Sequence, residues 1–323
     1  MQNYHNHKSY SNVLVADCAA SYEEYVNRAI ELGHNVISSV EHGYQSNYYI
    51  PYELVQNHNV KIKKQLDDGS ITEEEYQKRK LKFIFGAEAY WVKDRLAEIP
   101  KTDKKTGEVI PGEYVKDRTN CHIILLAKNE EGRRDINEVL SIANEDGFYG
   151  QPRIDLQLLL KIKPENVMVT TACLKFWVYE DIDEIVRILH AHFGENFFLE
   201  IQYHNTEKQI EINHHILQLS QELGIHLIFG YDSHYITEDQ RTERDNYLLA
   251  RGIEYDTDEI GWYMDYPDET EVRKRLRDQG VLNEAQIDEC INNTDLLLDF
   301  DDIILDKRIK LPKPACIKYN FDE

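Results

Sequence analysis

Residues 226–234 read HLIFGYDSH. The apolar run His226–Gly230 has strand character and stops at a glycine, and Asp232 and His234 follow immediately. The same arrangement recurs upstream. VISSV (36–40) leads into Glu41-His42-Gly43, and FIFGA (83–87) leads into Glu88. At the start of the chain, Tyr-His-Asn-His sets His5 and His7 two residues apart. Read as a first strand, period two turns both imidazoles to one face, where they can chelate one metal. In a β/α architecture the carboxyl ends of parallel strands meet at one mouth, and active sites sit there. Four strands thus bring His5, His7, His42, Glu88, Asp232 and His234 to one place. Core packing does not produce that coincidence. Imidazole and carboxylate with little thiolate suit zinc, manganese or iron at a hydrolytic centre.

Working outward, further strands are expected at Ile123–Ala127, Val167–Thr171 and Phe197–Ile201. Helices are expected at Ser21–Gly33, Glu131–Asn144, Asp181–Phe193 and Glu207–Gly224. The first opens on a Ser21-x-x-Glu24 box and closes on Gly33. Alternation of this kind implies a mainly parallel sheet, as a β/α barrel or a doubly wound sheet. Residues 61–82 read as a charged helical hairpin insertion, and 94–119 as a polar excursion with β-hairpin character. After residue 255 the composition turns acidic, with seventeen acids against four bases over 254–306 and helices expected at Asp268–Asp278 and Glu284–Leu298. The domain reading is therefore a barrel over 1–255 and an acidic helical extension over 256–323.

Composition bounds the function. The 323 residues carry 37 Lys+Arg against 59 Asp+Glu, a formal charge of −22. A protein that wraps nucleic acid by neutralising phosphates is basic, so this chain is a poor independent DNA clamp. It can still act on nucleic acid where bound metals supply the positive charge. No apolar run approaches the ~20 residues of a membrane span. Five cysteines (Cys18, Cys121, Cys173, Cys290 and Cys316) form no CxxC pair. With no apolar leader after Met1, they point to a reducing, cytoplasmic setting.

Other residues are open on spacing alone. His122 precedes its apolar run CHIILLA, so it reads as a satisfied histidine or as a ligand. Cys173 follows VMVTTA and reads as an inert buried thiol or as a ligand. Asp17 lies in a loop after His7, and His204 follows FFLEI at a strand exit that faces the mouth. Arg153 in QPRID is either a phosphate contact or the partner of Asp155 or another acid.

HNHKSYSN, SVEHG, FIFGAEAYW, NCHIILLAKNEEGRRDINEVLS, GFYGQPRIDLQLL, VTTACL and YDSHY occur in that order. Together they resemble the polymerase and histidinol phosphatase (PHP) domain, in its form at the N-terminus of bacterial and phage DNA polymerase III α subunits. The similarity runs from Met1 to about Pro312. It implies a distorted seven-stranded β/α barrel and a centre of two to three divalent metal ions with nine ligand positions. Residue by residue these fall on His5, His7, Asp17, His42, Glu88, His122, Cys173, Asp232 and His234. Glu88 matches the carboxylate bridging two metals. His5, His7, Glu88 and Asp232 would hold one ion, Glu88, His122 and Cys173 a second, and Asp17, His42 and His234 the third. Glu41 departs from the Asp that usually precedes the second-motif histidine.

The resemblance implies phosphoester hydrolysis by a metal-activated hydroxide, with Glu88, Asp232 and Arg153 as the catalytic candidates. The implied substrate is DNA with a 3′ end, cleaved by a 3′–5′ exonuclease that proofreads beside the rest of a replicase. Two alternatives stand beside it: a non-catalytic interaction module of the polymerase, and a small-molecule phosphatase of the histidinol-phosphate type. No second carboxylate cluster suited to a polymerase palm is apparent, so polymerisation is not expected of this chain.

Overall fold

The structure, a computed structural model, describes residues 1–13, 17–45, 48–103, 105–119, 121–252 and 261–308. Cys316 and the expected boundary at 255/256 lie outside these residues. So does the lead toward a palm after residue 308.

Helix α1 (Tyr22–Leu32) leads to β1 (Val36–Ser39), then α2 (Tyr49–Asp67), α3 (Glu73–Arg79) and the long strand β2 (Lys82–Val92). An antiparallel pair, β3 (Glu98–Thr102) and β4 (Val109–Lys116), stands apart from the main sheet. There follow β5 (Cys121–Ala127), α4 (Glu130–Glu145), β6 (Arg153–Asp155), α5 (Leu156–Leu159) and β7 (Val167–Thr170). The barrel part ends with α6 (Ile182–Phe193), β8 (Phe197–Ile201), α7 (Glu207–Leu223) and β9 (Leu227–Phe229). Helices α8 (Arg241–Ala250), α9 (Glu269–Gln279) and α10 (Glu284–Asn292) complete the described chain.

Local signals explain these limits. Ser21 and Glu24 form a reciprocal capping box at the start of α1, and Gly33 ends the helix in the left-handed region at φ 73°. Thr206 caps α7 and Gly224 closes it in the same way. Strands β5, β7, β8 and β9 are buried along their whole length. That is why they read as unbroken apolar runs rather than alternating ones.

The main sheet has seven strands in the order β1-β2-β5-β7-β8-β9, with β6 beside the far end of β2. Sequential order curls it into a distorted β/α barrel. The chain's first residues close the gap between β9 and β1. Asn6 bridges Ser233, and the Ser38 hydroxyl donates to the Tyr4 carbonyl at 2.7 Å. The Gln2 side-chain oxygen accepts from the Asn35 and Val36 amides at 2.8 and 3.0 Å. His5 and His7 therefore sit on an extended wedge held by both flanking strands, where a first strand was expected.

The sheet is mainly parallel, as expected, with β5 the exception, antiparallel to both β2 and β7. One further expectation needs correction: β2 does not stop before Glu88 but continues to Val92, so Glu88 lies inside the strand, opposite Ile124. Within the described residues 261–308 of the expected acidic extension, α9 and α10 pack on the barrel. Val272, Leu276, Ile287, Cys290 and Ile291 join the same core cluster as Leu125, Val169, Leu199 and Phe229. Each such fully buried aliphatic or aromatic side chain stabilises the fold by roughly 1.5–3 kcal/mol.

Candidate metal centre

At the mouth of the barrel, the nine side chains His5, His7, Asp17, His42, Glu88, His122, Cys173, Asp232 and His234 gather around Glu88. Their ligand atoms fall into overlapping groups within which every atom lies less than 4.8 Å from the others. One group is His5, His7 and Asp232; another is Glu88, His122 and Cys173; a third joins Asp17, Cys18, His42 and His234, and Glu88 also groups with His7 and His42.

Glu88 occupies the centre of the site. Its Oε1 lies 2.8 Å from His122 Nδ1 and 3.5 Å from His5 Nε2. Its Oε2 lies 2.6 Å from His42 Nδ1 and 3.5 Å from His7 Nε2. Asp232 Oδ1 faces His5 Nε2 at 3.1 Å and His7 Nε2 at 3.3 Å. Asp17 stands 3.6 Å from His42 Nε2 and 3.5 Å from His234 Nε2. Cys173 Sγ is 3.4 Å from His122 Nδ1.

Strand direction explains why His122 belongs here. It precedes its apolar run, but β5 is reversed, so the start of β5 lies at the same end as the exits of β7 and β9. His122 pairs across the sheet with Tyr90, two residues beyond Glu88. Backbone strain marks the same mouth. Asp232 and Ala172, the residue before Cys173, are the non-glycine residues at positive φ among those described, at 48° and 50°.

The site's electrostatics follow from burial countered by charge. Burial alone would raise the Glu88 carboxyl, but His122 and His7 outweigh it and hold it well below the usual carboxylate range. Asp232 is held down against burial by His5 and His7, and Asp17 by His234 and His42. Burial lowers His42, yet the neighbouring carboxylates of Asp17 and Glu88 lift it to about 10. His7 goes the other way, down to about 3, through burial and the neighbouring His42. Metal ions would supply the positive charge that these buried carboxylates otherwise draw from the histidines.

The residues present fit such ions. His5 Nε2, His7 Nε2, His42 Nε2 and Glu88 Oε1 are buried without a hydrogen-bond partner. Water-free, unsatisfied donors and acceptors are rare unless something binds them. The far sides of the rings are tied down. His5 Nδ1 donates to Glu200 at 2.6 Å, His234 Nδ1 to the Asp232 carbonyl at 2.9 Å, and His7 Nδ1 lies 3.3 Å from the Ser11 hydroxyl. Ser11 in turn donates to Glu41, which also accepts from Tyr22 at 2.5 Å. The longer Glu41 side chain thus serves the support of His7, leaving the ligand positions intact.

Arg153 does not face this cluster. Its side chain is fully buried and its guanidinium donates to the carbonyls of Gly147, Asp117 and Arg95 at 2.6–2.8 Å. Three of its five N–H groups are taken by these carbonyls and the side chain is closed off from solvent, so it does not present its fork to a phosphate; the partner of Asp155 is Arg95, at 2.7 Å. The signal misread was the fork itself: three convergent carbonyls use it as well as a phosphate does. His204 is buried, stacks on Trp262 at 4.2 Å and accepts from the Tyr263 amide, and it belongs to none of the ligand groups.

Glu200 and Cys18 were not singled out from sequence. Glu200 gave a signal, a lone carboxylate within FFLEI, because a charge in an apolar strand needs a partner. It accepts from His5, from Tyr4 at 2.8 Å, from Thr170 at 3.1 Å and from Gln202 at 2.9 Å. Gly230 makes room for it: a Cβ there would lie 2.2 Å from the Glu200 carboxyl.

Comparison with known proteins agrees with this geometry. DNA polymerase III subunit alpha of Aquifex aeolicus is 27% identical over 245 residues, covering 73% of this chain and 18% of that protein. The subunit of the same name from Borreliella burgdorferi is 32% identical over 179 residues, covering 53% of this chain and 14% of that protein. Probable DNA polymerase YorL of Bacillus subtilis is 25% identical over 367 residues, covering 98% of this chain and 26% of that protein. The chain therefore spans 14–26% of the length of these relatives. The sequence profile of the PHP domain matches residues 3–204. That match takes in more than half of the chain, and with it the ligand positions from His5 to Cys173, so the chain belongs to the PHP domain family.

Proposed function

We propose that the chain is a metal-dependent phosphoesterase of DNA replication, a 3′–5′ exonuclease that trims a DNA 3′ end beside a DNA polymerase III-like replicase. The observation that carries this reading is the completeness of the cluster: four overlapping ligand groups are filled by competent side chains, two of them containing Glu88 and the other two joined to it through His7 and His42. The relatives that are DNA polymerase III α subunits support the replicative setting. Two to three divalent ions, zinc, manganese or iron, are the cofactors the donor set suits.

Bound ions of this kind supply an activated water and positive charge for the phosphoryl oxygens. The side chains do the rest. Glu88 would help hold two of the ions: its Oε1 lies beside His122 and His5, and its Oε2 beside His42 and His7. Glu200 fixes the ring of His5 so that Nε2 points inward, and the Ser11–Glu41 pair does the same for His7. Asp232 and Glu88, both held well below the usual carboxylate range, would offer ionised carboxylates to the ions and are the catalytic candidates of the cluster. With a net charge of −22, the chain attracts a phosphodiester only through the ions it holds.

The test uses the chain loaded with manganese or zinc and a single-stranded oligonucleotide labelled at its 5′ end. Stepwise shortening that stops at a blocked 3′ terminus is expected. A fully loaded protein that leaves DNA intact would make the domain an interaction module of the polymerase. Rapid hydrolysis of histidinol phosphate, with DNA untouched, would identify a small-molecule phosphatase.

A further inference from the structure

The group at Asp17, His42 and His234 holds a fourth ligating atom, the sulfur of Cys18. Cys18 is 5% exposed, and its Sγ lies 3.2 Å from Asp17 Oδ1. His42 Nε2, buried and without a hydrogen-bond partner, faces the same space. Ligand atoms about 2.0–2.3 Å from a tetrahedral zinc stand roughly 3.3–3.8 Å apart. Asp17 Oδ1 lies 3.2 Å from Cys18 Sγ and 3.6 Å from His42 Nε2, close to that edge length, its Oδ2 lies 3.5 Å from His234 Nε2, and one ligand atom from each of the four residues falls within 4.8 Å of the others.

The loop is built to hold this position. The Asn12 side chain accepts from the Cys18 amide and donates to the Cys18 carbonyl, both at 2.9 Å. Ala19 N–H donates to the His234 carbonyl at 3.1 Å, and Arg244 Nε to the Asp17 carbonyl at 3.1 Å. Adjacent ligands Asp17 and Cys18 are thereby clamped to the turn that carries His234.

We infer that Cys18 is a fourth protein ligand at this position, completing an Asp-Cys-His-His set that selects a thiophilic ion, zinc above manganese or magnesium. On binding, the thiol gives its proton to solvent and a sulfur–metal bond forms. Four protein ligands leave no open coordination place, so this ion is held as a permanent part of the centre, while the three-ligand position at Glu88, His122 and Cys173 keeps room for water. The inference rests on the metal-dependent reading of the site.

The experiment uses the full chain, stripped of metal and reloaded with cobalt(II) as a spectroscopic stand-in for zinc. A thiolate-to-cobalt charge-transfer band is expected. Cys18→Ser should remove about half of it and Cys173→Ser the other half, since each sulfur is one ligand. Cys18→Ser should also weaken retention of one zinc by about 100-fold or more, beyond the usual effect of losing a supporting residue. X-ray absorption of the unaltered zinc protein needs no variant, and it should count two sulfur ligands per chain. One sulfur per chain, or a band that vanishes with Cys173→Ser and is untouched by Cys18→Ser, overturns the assignment while leaving the metal centre standing. A chain that takes up neither cobalt nor zinc overturns the metal-dependent reading and this inference with it.

Discussion

Glu200 on β8 accepts a hydrogen bond from His5 Nδ1 at 2.6 Å, although the two residues are 195 positions apart. The bond holds the imidazole with its other nitrogen toward Glu88 and Asp232. A carboxylate behind a ligating histidine fixes tautomer and orientation and raises ligand basicity.

Glu200→Gln should therefore weaken metal retention by about 10–100-fold without unfolding the protein. Competition against a chelator, followed by elemental analysis, measures it. Unchanged retention would show that the orientation of His5 is set elsewhere.

Lys8 and Glu41 form a buried pair at 3.5 Å, with both side chains about 1% exposed. Lys8→Met alone should destabilise the fold by about 3–5 kcal/mol, because it leaves a buried charge without its partner. Adding Glu41→Gln should recover much of that loss. Urea unfolding of the two single variants and the double variant completes the cycle; strictly additive effects would disprove the coupling.

Arg153→Lys should destabilise by on the order of 3 kcal/mol, since an ammonium cannot reach all three carbonyls that the guanidinium bridges. Metal content of the folded protein should not change. Lost turnover at unchanged thermal stability would return Arg153 to a role with substrate.

His34 donates to or accepts from Tyr266 at 2.7 Å, and burial with the nearby N-terminal amine pushes its pKa down to about 4. It is neutral in the fold, while the unfolded chain takes up a proton below about pH 6.5. Its contribution is therefore present above that pH and is lost as pH falls toward 4, by at most about 3 kcal/mol. The stability advantage over His34→Gln should shrink across that window in a pH series of urea unfolding. A pH-independent difference would contradict it.

Helix limits and strand positions were legible because their causes are local. Ser21, Glu24 and Gly33 delimit α1 within one turn at each end, and LIF at 227–229 is apolar on both faces because β9 is buried on both. The pairs His5/His7 and Asp232/His234 were legible for the same reason: both lie within three residues on a chain of known period.

Other features depend on partners far along the chain. The reversal of β5 brings His122 to Glu88, and nothing in CHIILLA encodes the direction of its neighbours. The register of β2 against β5 places Glu88 inside a strand. Arg153 looked like a phosphate ligand until three carbonyls from separate segments were seen around it.

By itself the sequence determined most element positions, since periodicity and caps act over a few residues, and its ordered motifs carried the family resemblance that implies nine candidate ligand positions. Only the tertiary structure decided which atoms face one another: Glu200 behind His5, Cys18 beside Asp17, and Arg153 turned into the core. Those relations follow from strand direction, register and the closing wedge at residues 2–7. Each is set by hydrogen bonds and packing between segments far apart in the chain, as in the bonds from His7 N–H to the Ser233 carbonyl and from Gln2 N–H to the Thr294 hydroxyl, the latter 292 positions away.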